Sequence, residues 1–403
     1  MEYRRALYIT DFCLTPCQNV PNCGILCQGD KILAVGGASA FTDEPDLEVF
    51  HLRGMYATPG FIDLHIHGAG GFDSSTAHEE GVSIDQMCLT LASHGVTSFM
   101  PTIISSARTQ MPASISAIAE MIDKPHPGAE PVGIHVEGPF LNQEKHGSQR
   151  IEDLIDIDLG FARELIAAGN GKIKVMTFAP ELPGAIELIE LMLASGIKPS
   201  MGHSLADEAH VLKAVDAGAT RCTHLYNGMP PLHQRDVALT AVALTDDRIT
   251  IELILDGSFL HPRMVDLACR AKPKGKLIGI SDAVQGAGLN DGRYHLGSSA
   301  IDVREGRVTN QDGVLAGTTL TLEKGWHNLI TCTHMKSTDA AACFSLNPAF
   351  DIGLADVGEI RPGKRADISF FDTATNKTSL TICRGQIVYA ADARFKERVV
   401  SVQ

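Results

Sequence analysis

Between residues 58 and 282, short continuous apolar runs alternate with segments whose apolar residues recur every three or four positions. The first run is Thr58-Pro-Gly-Phe-Ile-Asp-Leu-His-Ile-His67. The next three are Gly95-Val-Thr-Ser-Phe-Met-Pro-Thr-Ile, Pro131-Val-Gly-Ile-His-Val-Glu and Lys172-Ile-Lys-Val-Met-Thr-Phe. Gly196-Ile-Lys-Pro-Ser-Met-Gly-His, Ala219-Thr-Arg-Cys-Thr-His-Leu, Ile249-Thr-Ile-Glu-Leu-Ile-Leu-Asp and Lys276-Leu-Ile-Gly-Ile-Ser-Asp complete the set. Runs this apolar suit strands covered on both faces. The intervening Ala185-Ile-Glu-Leu-Ile-Glu-Leu-Met-Leu-Ala and Asp207-Glu-Ala-His-Val-Leu-Lys-Ala-Val read as amphipathic helices. Eight such strands, each followed by a helix or loop, predict an α/β chain with a parallel (β/α)8 TIM barrel. The alternative is a doubly wound open sheet. No G-x-G-x-x-G follows the first strand of this region, so a dinucleotide site has no support.

Both chain ends have a different texture. Ala6-Leu-Tyr-Ile-Thr, Gly24-Ile-Leu-Cys and Lys31-Ile-Leu-Ala-Val are short strands separated by turn pairs, and so are Ala366-Asp-Ile-Ser-Phe-Phe-Asp, Lys377-Thr-Ser-Leu-Thr-Ile-Cys and Gly385-Gln-Ile-Val-Tyr. The expected layout is a small, discontinuous β-sandwich domain made of residues 1–55 and 353–403 around a catalytic barrel of residues 56–352. Residues 283–320, rich in Asn-Asp-Gly and Glu-Gly turns, read as a hairpin or lid beside the barrel mouth.

Composition narrows the class. The chain has 403 residues, 44% of them apolar, yet no uninterrupted apolar run of membrane-spanning length. Its first residues lack the apolar core of a secretory signal, so its ten cysteines are expected to be reduced thiols in a cytoplasm. Cys13, Cys17, Cys23 and Cys27 cluster without C-x-x-C spacing and are expected to be buried in or between strands. A net charge of −14 argues against nucleic acid or an anionic membrane as partner. It leaves room for a small anionic substrate met by a local group of donors.

The candidate chemistry stands where barrel enzymes keep theirs, at the C-terminal ends of strands. Strand 1 ends in His65 and His67, strand 3 in Glu137, strand 5 in His203, strand 6 in His224 and strand 8 in Asp282. Alternation along strand 1 predicts Asp63, His65 and His67 on one face, with Ile62, Leu64 and Ile66 on the other. His67 to Glu137 and Glu137 to His203 each span two βα units, so the candidates are level around one mouth. Imidazoles with one carboxylate form an N/O donor set suited to Zn²⁺, and also acceptable to Fe²⁺, Mn²⁺ or Co²⁺. Glu137 would hold one ion, or bridge two if His65 and His67 take the second. Asp282 is placed to take a proton from water on the ion and pass it to a leaving nitrogen. His51, His78, His94, His126, His210, His327 and His334 read as solvated or internally satisfied.

On these residues the chain resembles the amidohydrolase superfamily, and within it the N-acetylglucosamine-6-phosphate deacetylase family. Pro59-Gly-Phe-Ile-Asp-Leu-His-Ile-His-Gly and Gly358-Glu-Ile-Arg-Pro-Gly-Lys-Arg-Ala-Asp carry the wider likeness. His135-Val-Glu-Gly-Pro-Phe-Leu, Met201-Gly-His-Ser, Thr223-His-Leu-Tyr-Asn-Gly-Met, Ser281-Asp-Ala and Leu315-Ala-Gly-Thr also match, in the family's order. The resemblance implies hydrolysis of the N-acetyl group of an amino-sugar 6-phosphate, with one or two divalent ions per subunit. Glu137, His203 and His224 match the principal metal site, His65 and His67 the second, and Asp282 the proton shuttle. Asn227, Gly228 and Leu315 match substrate-binding positions. Arg235 matches the phosphate-binding arginine, which in some members reaches a neighbouring subunit; dimers or larger assemblies are implied. Two positions depart from the pattern. Gln149 stands where a histidine near the reacting carbonyl is usual, with His146 three residues earlier as a substitute. Phe259 stands where a sugar-contacting histidine is usual, with His261 following. The alternatives are an amidohydrolase acting on another N-acyl amino sugar or amide, and a catalytically silent barrel. The last predicts loss of ligands or of the aspartate, and none is lost.

Overall fold

The computed structural model describes residues 5–15, 18–41 and 47–400. The eight apolar runs form eight parallel strands in sequential order: Phe61–Ile66, Val96–Ile104, Ile134–Glu137, Ile173–Phe178, Lys198–Met201, Arg221–Cys222, Thr250–Ile254 and Leu277–Ile280. Strand 8 returns to strand 1 where the Asp282 N–H donates to His65 O (2.9 Å) and the Ser281 N–H to Asp63 Oδ1 (3.3 Å), so the sheet is a nearly closed barrel. Helices cover its outside because each has one apolar stripe. Helix Ala185–Ala194 buries Ala185, Leu188, Ile189 and Met192. Helix Glu208–Asp216 buries Val211, Ala214 and Val215, and is capped by Asp207, which accepts from His210 N (3.0 Å).

Strand 1 does not follow simple alternation. Ile62 and Leu64 join Met100, Val175, Ile254, Ile278 and Ile280 in a cluster fed by strands 1, 2, 4, 7 and 8, which places them in the barrel lumen. Ile66 instead joins Phe61 in the large cluster shared with the helices. The cause is a break in pairing register with strand 2 between Asp63 and Ile66. Asp63 therefore leaves the face of His65 and His67. It stitches strands 1 and 8 through the His65 and Ser281 N–H groups (both 3.3 Å). Burial pushes its carboxyl up to about 7.

Both chain ends build a separate domain, as expected, and its seven strands form one hydrogen-bonded sheet. The order is Gln386–Ala390, Thr378–Cys383, Ile368–Asp372, Leu47–Pro59, Arg5–Leu14, Asn19–Gln28 and Lys31–Gly37. Leu47–Pro59 joins the two ends, pairing parallel to the first strand of the chain and antiparallel to Ile368–Asp372. Tyr8, Phe50, Phe370 and Ile382 fill its core, with Cys13, Cys23 and Cys27 buried among them; Cys17 lies outside the described residues. The changeover to the barrel falls at Gly60, where a Cβ would stand 2.2 Å from the Thr97 hydroxyl. Beyond strand 8, Gly292–Leu296, Ser299–Arg304 and Arg307–Asn310 form a three-stranded antiparallel sheet, the hairpin expected there. Among the described residues, no helix is long and apolar enough to cross a membrane.

Candidate active site and metal centre

The six strand-end candidates meet. Glu137 Oε1 lies 2.9 Å from His224 Nε2 and 3.2 Å from His203 Nε2, and the two imidazole nitrogens are 3.1 Å apart. Tetrahedral Zn²⁺ with bonds of about 2.05 Å spaces its nitrogen ligands about 3.3 Å apart, so this triangle has the right size for such an ion. On the other side, His67 Nε2 is 3.0 Å and His65 Nε2 3.6 Å from Asp282 Oδ1. Glu137 spans the two groups: Oε1 is 3.7 Å from His65 Nε2, and Oε2 is 3.7 Å from His67 Nε2.

Three rings are turned so that Nε2 faces this centre. Nδ1 of His203 lies 2.6 Å from Lys145 O, that of His67 3.2 Å from Thr102 O, and that of His65 3.1 Å from Glu252 Oε2. A proton on Nδ1 satisfies each bond and leaves an Nε2 lone pair pointing inward, the arrangement that metal-ligating histidines adopt. Buried His65 Nε2 has no hydrogen-bond partner. His203 Nε2 and His224 Nε2 converge with Glu137 Oε1 on one point. A divalent ion answers both observations, and the donor set fits it.

The groups of the cluster are strongly coupled electrostatically. Burial opposes charge on Glu137, but hydrogen bonds from His203 and His224 hold its carboxyl well below the usual range. Burial likewise acts against charging His67 and His224. Asp282 beside the first and Glu137 beside the second outweigh it and raise both to about 9. His203 (φ +46°), His224 (φ +26°) and Asp282 (φ +50°) lie just past their strands and adopt the left-handed backbone that non-glycine residues rarely take. Gly228 is needed beside them: at φ +62°, a Cβ there would come within 2.9 Å of His203 Nδ1.

Above the cluster opens a cleft of about 380 Å³. Its lining includes His67, Glu137, His203, His224, Asp282, Gln149, Asn227, Gly228 and Leu315, so these predicted residues share one site. Phe259, Ile104, Leu296 and Val314 give it an apolar wall, the last two contributed by the segment after strand 8. Asn227 Nδ2 donates to His224 O (3.2 Å) and to Leu225 O (3.4 Å), so it shapes the loop that carries His224. Arg235 and His261 are not brought into this cleft. Arg235 is exposed on the loop of residues 231–237 and lines a separate surface depression with Asp207, Glu208 and Asp236. His261 is exposed and caps helix Pro262–Ala271, accepting from Arg263 N (3.2 Å). His146 is tied to Gln149 O (2.7 Å).

Sequence reasoning passed over Glu252. This fully buried carboxylate on strand 7 takes His65 Nδ1 and the His224 N–H (3.1 Å each) on Oε2, and pairs through Oε1 with Arg221. Arg221, buried on strand 6, also pairs with Asp351. A charge in the middle of Thr-Ile-Glu-Leu-Ile was the available signal. Beneath the ligands, His135 Nε2, Thr177, Thr223 and Ser200 form a hydrogen-bonded layer with spacings of 2.6–2.8 Å.

The sequence profile of the amidohydrolase family matches residues 56–394. The chain belongs to the amidohydrolase family. Among curated relatives, it is 36% identical over 335 residues to N-acetylglucosamine-6-phosphate deacetylase of Bacillus subtilis (strain 168), covering 82% of this chain and 84% of that one. To N-acetylgalactosamine-6-phosphate deacetylase of Escherichia coli O157:H7 it is 32% identical over 330 residues, covering 82% and 86%. Among solved structures, a mutant of N-acetyl-D-glucosamine-6-phosphate deacetylase from Mycobacterium smegmatis in complex with N-acetyl-D-glucosamine-6-phosphate superposes with a TM-score of 0.88. The identity there is 28%, over 96% of this chain and all of that one. This amidohydrolase is a hydrolase of the deacetylase type, and the family's dependence on metal matches the clusters described above.

Proposed function

We propose that this amidohydrolase removes the acetyl group from an N-acetyl amino-sugar 6-phosphate, with N-acetylglucosamine-6-phosphate as the first candidate, releasing acetate and the free amine. The observation that carries the reading is the convergence of Glu137, His203 and His224 with Asp282 at the floor of one cleft. Glu137, His203 and His224 would hold the principal ion, and His65 and His67 a second, with the Glu137 carboxylate between them. A divalent ion there supplies Lewis acidity toward the acetyl carbonyl and lowers the pKa of water in the site; Zn²⁺ suits the donors best, with Fe²⁺, Mn²⁺ and Co²⁺ as the other candidates.

The chain's own groups do the rest. Asp282 Oδ1 faces the cluster and is the base that takes the proton of the attacking water. The same carboxyl then returns that proton to the amine nitrogen as the C–N bond breaks. Its main chain is fixed on both sides, N–H to His65 O (2.9 Å) and C=O from Thr318 N–H (2.8 Å), which holds the carboxylate over the imidazoles. Leu296, Val314 and Leu315 give one side of the cleft an apolar lining. Arg235, exposed and outside its own cleft, would serve the phosphate of a neighbouring subunit's substrate in a homodimer. The nine described cysteines, all free, support a reducing cytoplasm as its compartment.

Phe259 in the cleft favours a second reading, an amidohydrolase for a different N-acyl amino sugar, because a phenyl ring cannot hydrogen-bond a hydroxyl. The test is acetate release from N-acetylglucosamine-, N-acetylgalactosamine- and N-acetylmannosamine-6-phosphate. Turnover of any of them supports the proposal. Turnover of none, with activity on an unphosphorylated amide, would remove it.

A further inference from the structure

We infer that Gln149 is a positioning residue for the Glu137 carboxylate and not a contact to the reacting carbonyl. Gln149 is buried, and its Nε2 donates to Glu137 Oε2 (2.9 Å). Its Oε1 accepts the Ser105 N–H (3.0 Å). That second bond settles which way the amide points, because only the oxygen can accept from a backbone N–H, so the amino group must face the carboxylate. The backbone is pinned as well: Gln149 N–H donates to His146 O (3.0 Å), and Gln149 O lies 2.7 Å from His146 Nδ1. Ser105 closes the arrangement by donating its hydroxyl to Glu137 O (3.4 Å).

The consequence lies in how Glu137 divides its two oxygens. Oε1 is free of the amide and meets His203 and His224 at 3.2 and 2.9 Å, whereas Oε2 already carries the Gln149 hydrogen bond and stands 3.7 Å from His67 Nε2. A carboxylate oxygen that accepts a hydrogen bond is a weaker donor to a cation. Gln149 thus turns the stronger oxygen toward the His203–His224 pair and leaves the weaker one for the His65–His67 side. It also stops the carboxylate rotating between them. The cleft consequently gains no proton-carrying group at this position, and Asp282 is left as the group that moves protons.

The inference rests on Glu137 being a ligand, and the experiment separates the two. Metal-stripped protein is titrated with Co²⁺ against a competing chelator, following the visible ligand-field spectrum, for the parent, Gln149→Ala, Gln149→Met and Gln149→His. Removing a hydrogen bond to a metal ligand lowers affinity about 10–100-fold, the loss expected for the Ala and Met variants, with an altered Co²⁺ spectrum. Gln149→His, which restores an N–H donor, should recover most of it. The Met variant keeps the side-chain volume, so it reports even if Ala does not fold. Unchanged Co²⁺ affinity and spectrum in both, with or without a raised KM for the acetylated sugar, would overturn the inference. A parent that takes up no Co²⁺ would overturn the metal-site reading and this inference together.

Discussion

Replacing Glu252 by glutamine is the sharpest probe of what holds the ligands in place. Glu252 accepts on both oxygens: Arg221 on Oε1, and His65 Nδ1 together with the His224 N–H on Oε2. Glutamine has the same shape but only one acceptor end. If its oxygen serves His65 and His224, its amino group faces the Arg221 guanidinium, donor against donor. If it turns over, the two ligand-bearing groups lose their acceptor. Arg221 keeps Asp351, so one of two buried carboxylate partners is lost. Breaking a buried ion pair from one side costs about 3–5 kcal/mol, and the retained partner places this case at the low end, about 3 kcal/mol. Against a total of about 5–15 kcal/mol, that is a large fraction. In the turned-over orientation, affinity for an ion on the His65 side should also fall about 10–100-fold, because the orienting acceptor of that ring is gone. Urea unfolding of the metal-stripped protein isolates the first effect, and metal titration the second. A Glu252→Gln variant within 1 kcal/mol of the parent, with unchanged metal affinity, would refute the assignment of Glu252 as the link between strand 7 and the ligands.

Asp282→Asn should lower kcat by about 10²–10⁴-fold while metal content by elemental analysis stays at the parent's value; full activity would exclude the proton-transfer role. Chelation should abolish acetate release and added Zn²⁺ or Co²⁺ should restore it; activity that survives complete stripping would contradict the site's chemistry. In the stripped protein His67 and His224 titrate near 9, so both are protonated at pH 7 and a cation must displace those protons. Affinity for Zn²⁺ should therefore rise with pH and level off above about pH 9, and a flat profile between pH 6 and 9 would show that the two rings are not ligands. Arg235→Ala should raise KM for the 6-phosphate far more than for the unphosphorylated sugar; an equal effect on both would separate it from phosphate binding.

Much of this was legible because parallel barrel strands are apolar on both sides, so they stand out from helices whose polar face faces water. The site residues were legible for a related reason: His65, His67, Glu137, His203, His224 and Asp282 each interrupt or terminate such a run. What periodicity could not convey was local. Strand 1 breaks register between Asp63 and Ile66, and a one-residue irregularity moves Asp63 off the ligand face. Glu252 was hidden because it sits inside its strand, where Arg221 from strand 6, His65 and the His224 N–H together compensate the buried carboxylate. Arg235 and His261 belong to loops whose course strand and helix patterns do not determine, and a motif places such residues in sequence without placing them in space.

The left-handed backbone at His203, His224 and Asp282 connects the fold to the chemistry. A strand that simply continued would carry each side chain away from the mouth. One residue in the left-handed region bends the chain sharply and turns the side chain back over the lumen, toward Glu137 on strand 3. For a residue with a Cβ this costs about 1–2 kcal/mol each time. The same residues have their main-chain groups tied to neighbouring elements. Asp282 N–H donates to His65 O (2.9 Å), His224 N–H to Glu252 (3.1 Å), and His203 O accepts from Asn142 N (2.9 Å). Each tie reaches a different element, so relaxing any one residue would break a bond elsewhere. The strain is thereby held in the folded protein, and these ties fix the donors at ion-binding spacing. A barrel with the same ligands on relaxed, mobile loops would have to order them on binding, at a cost in affinity that this arrangement avoids.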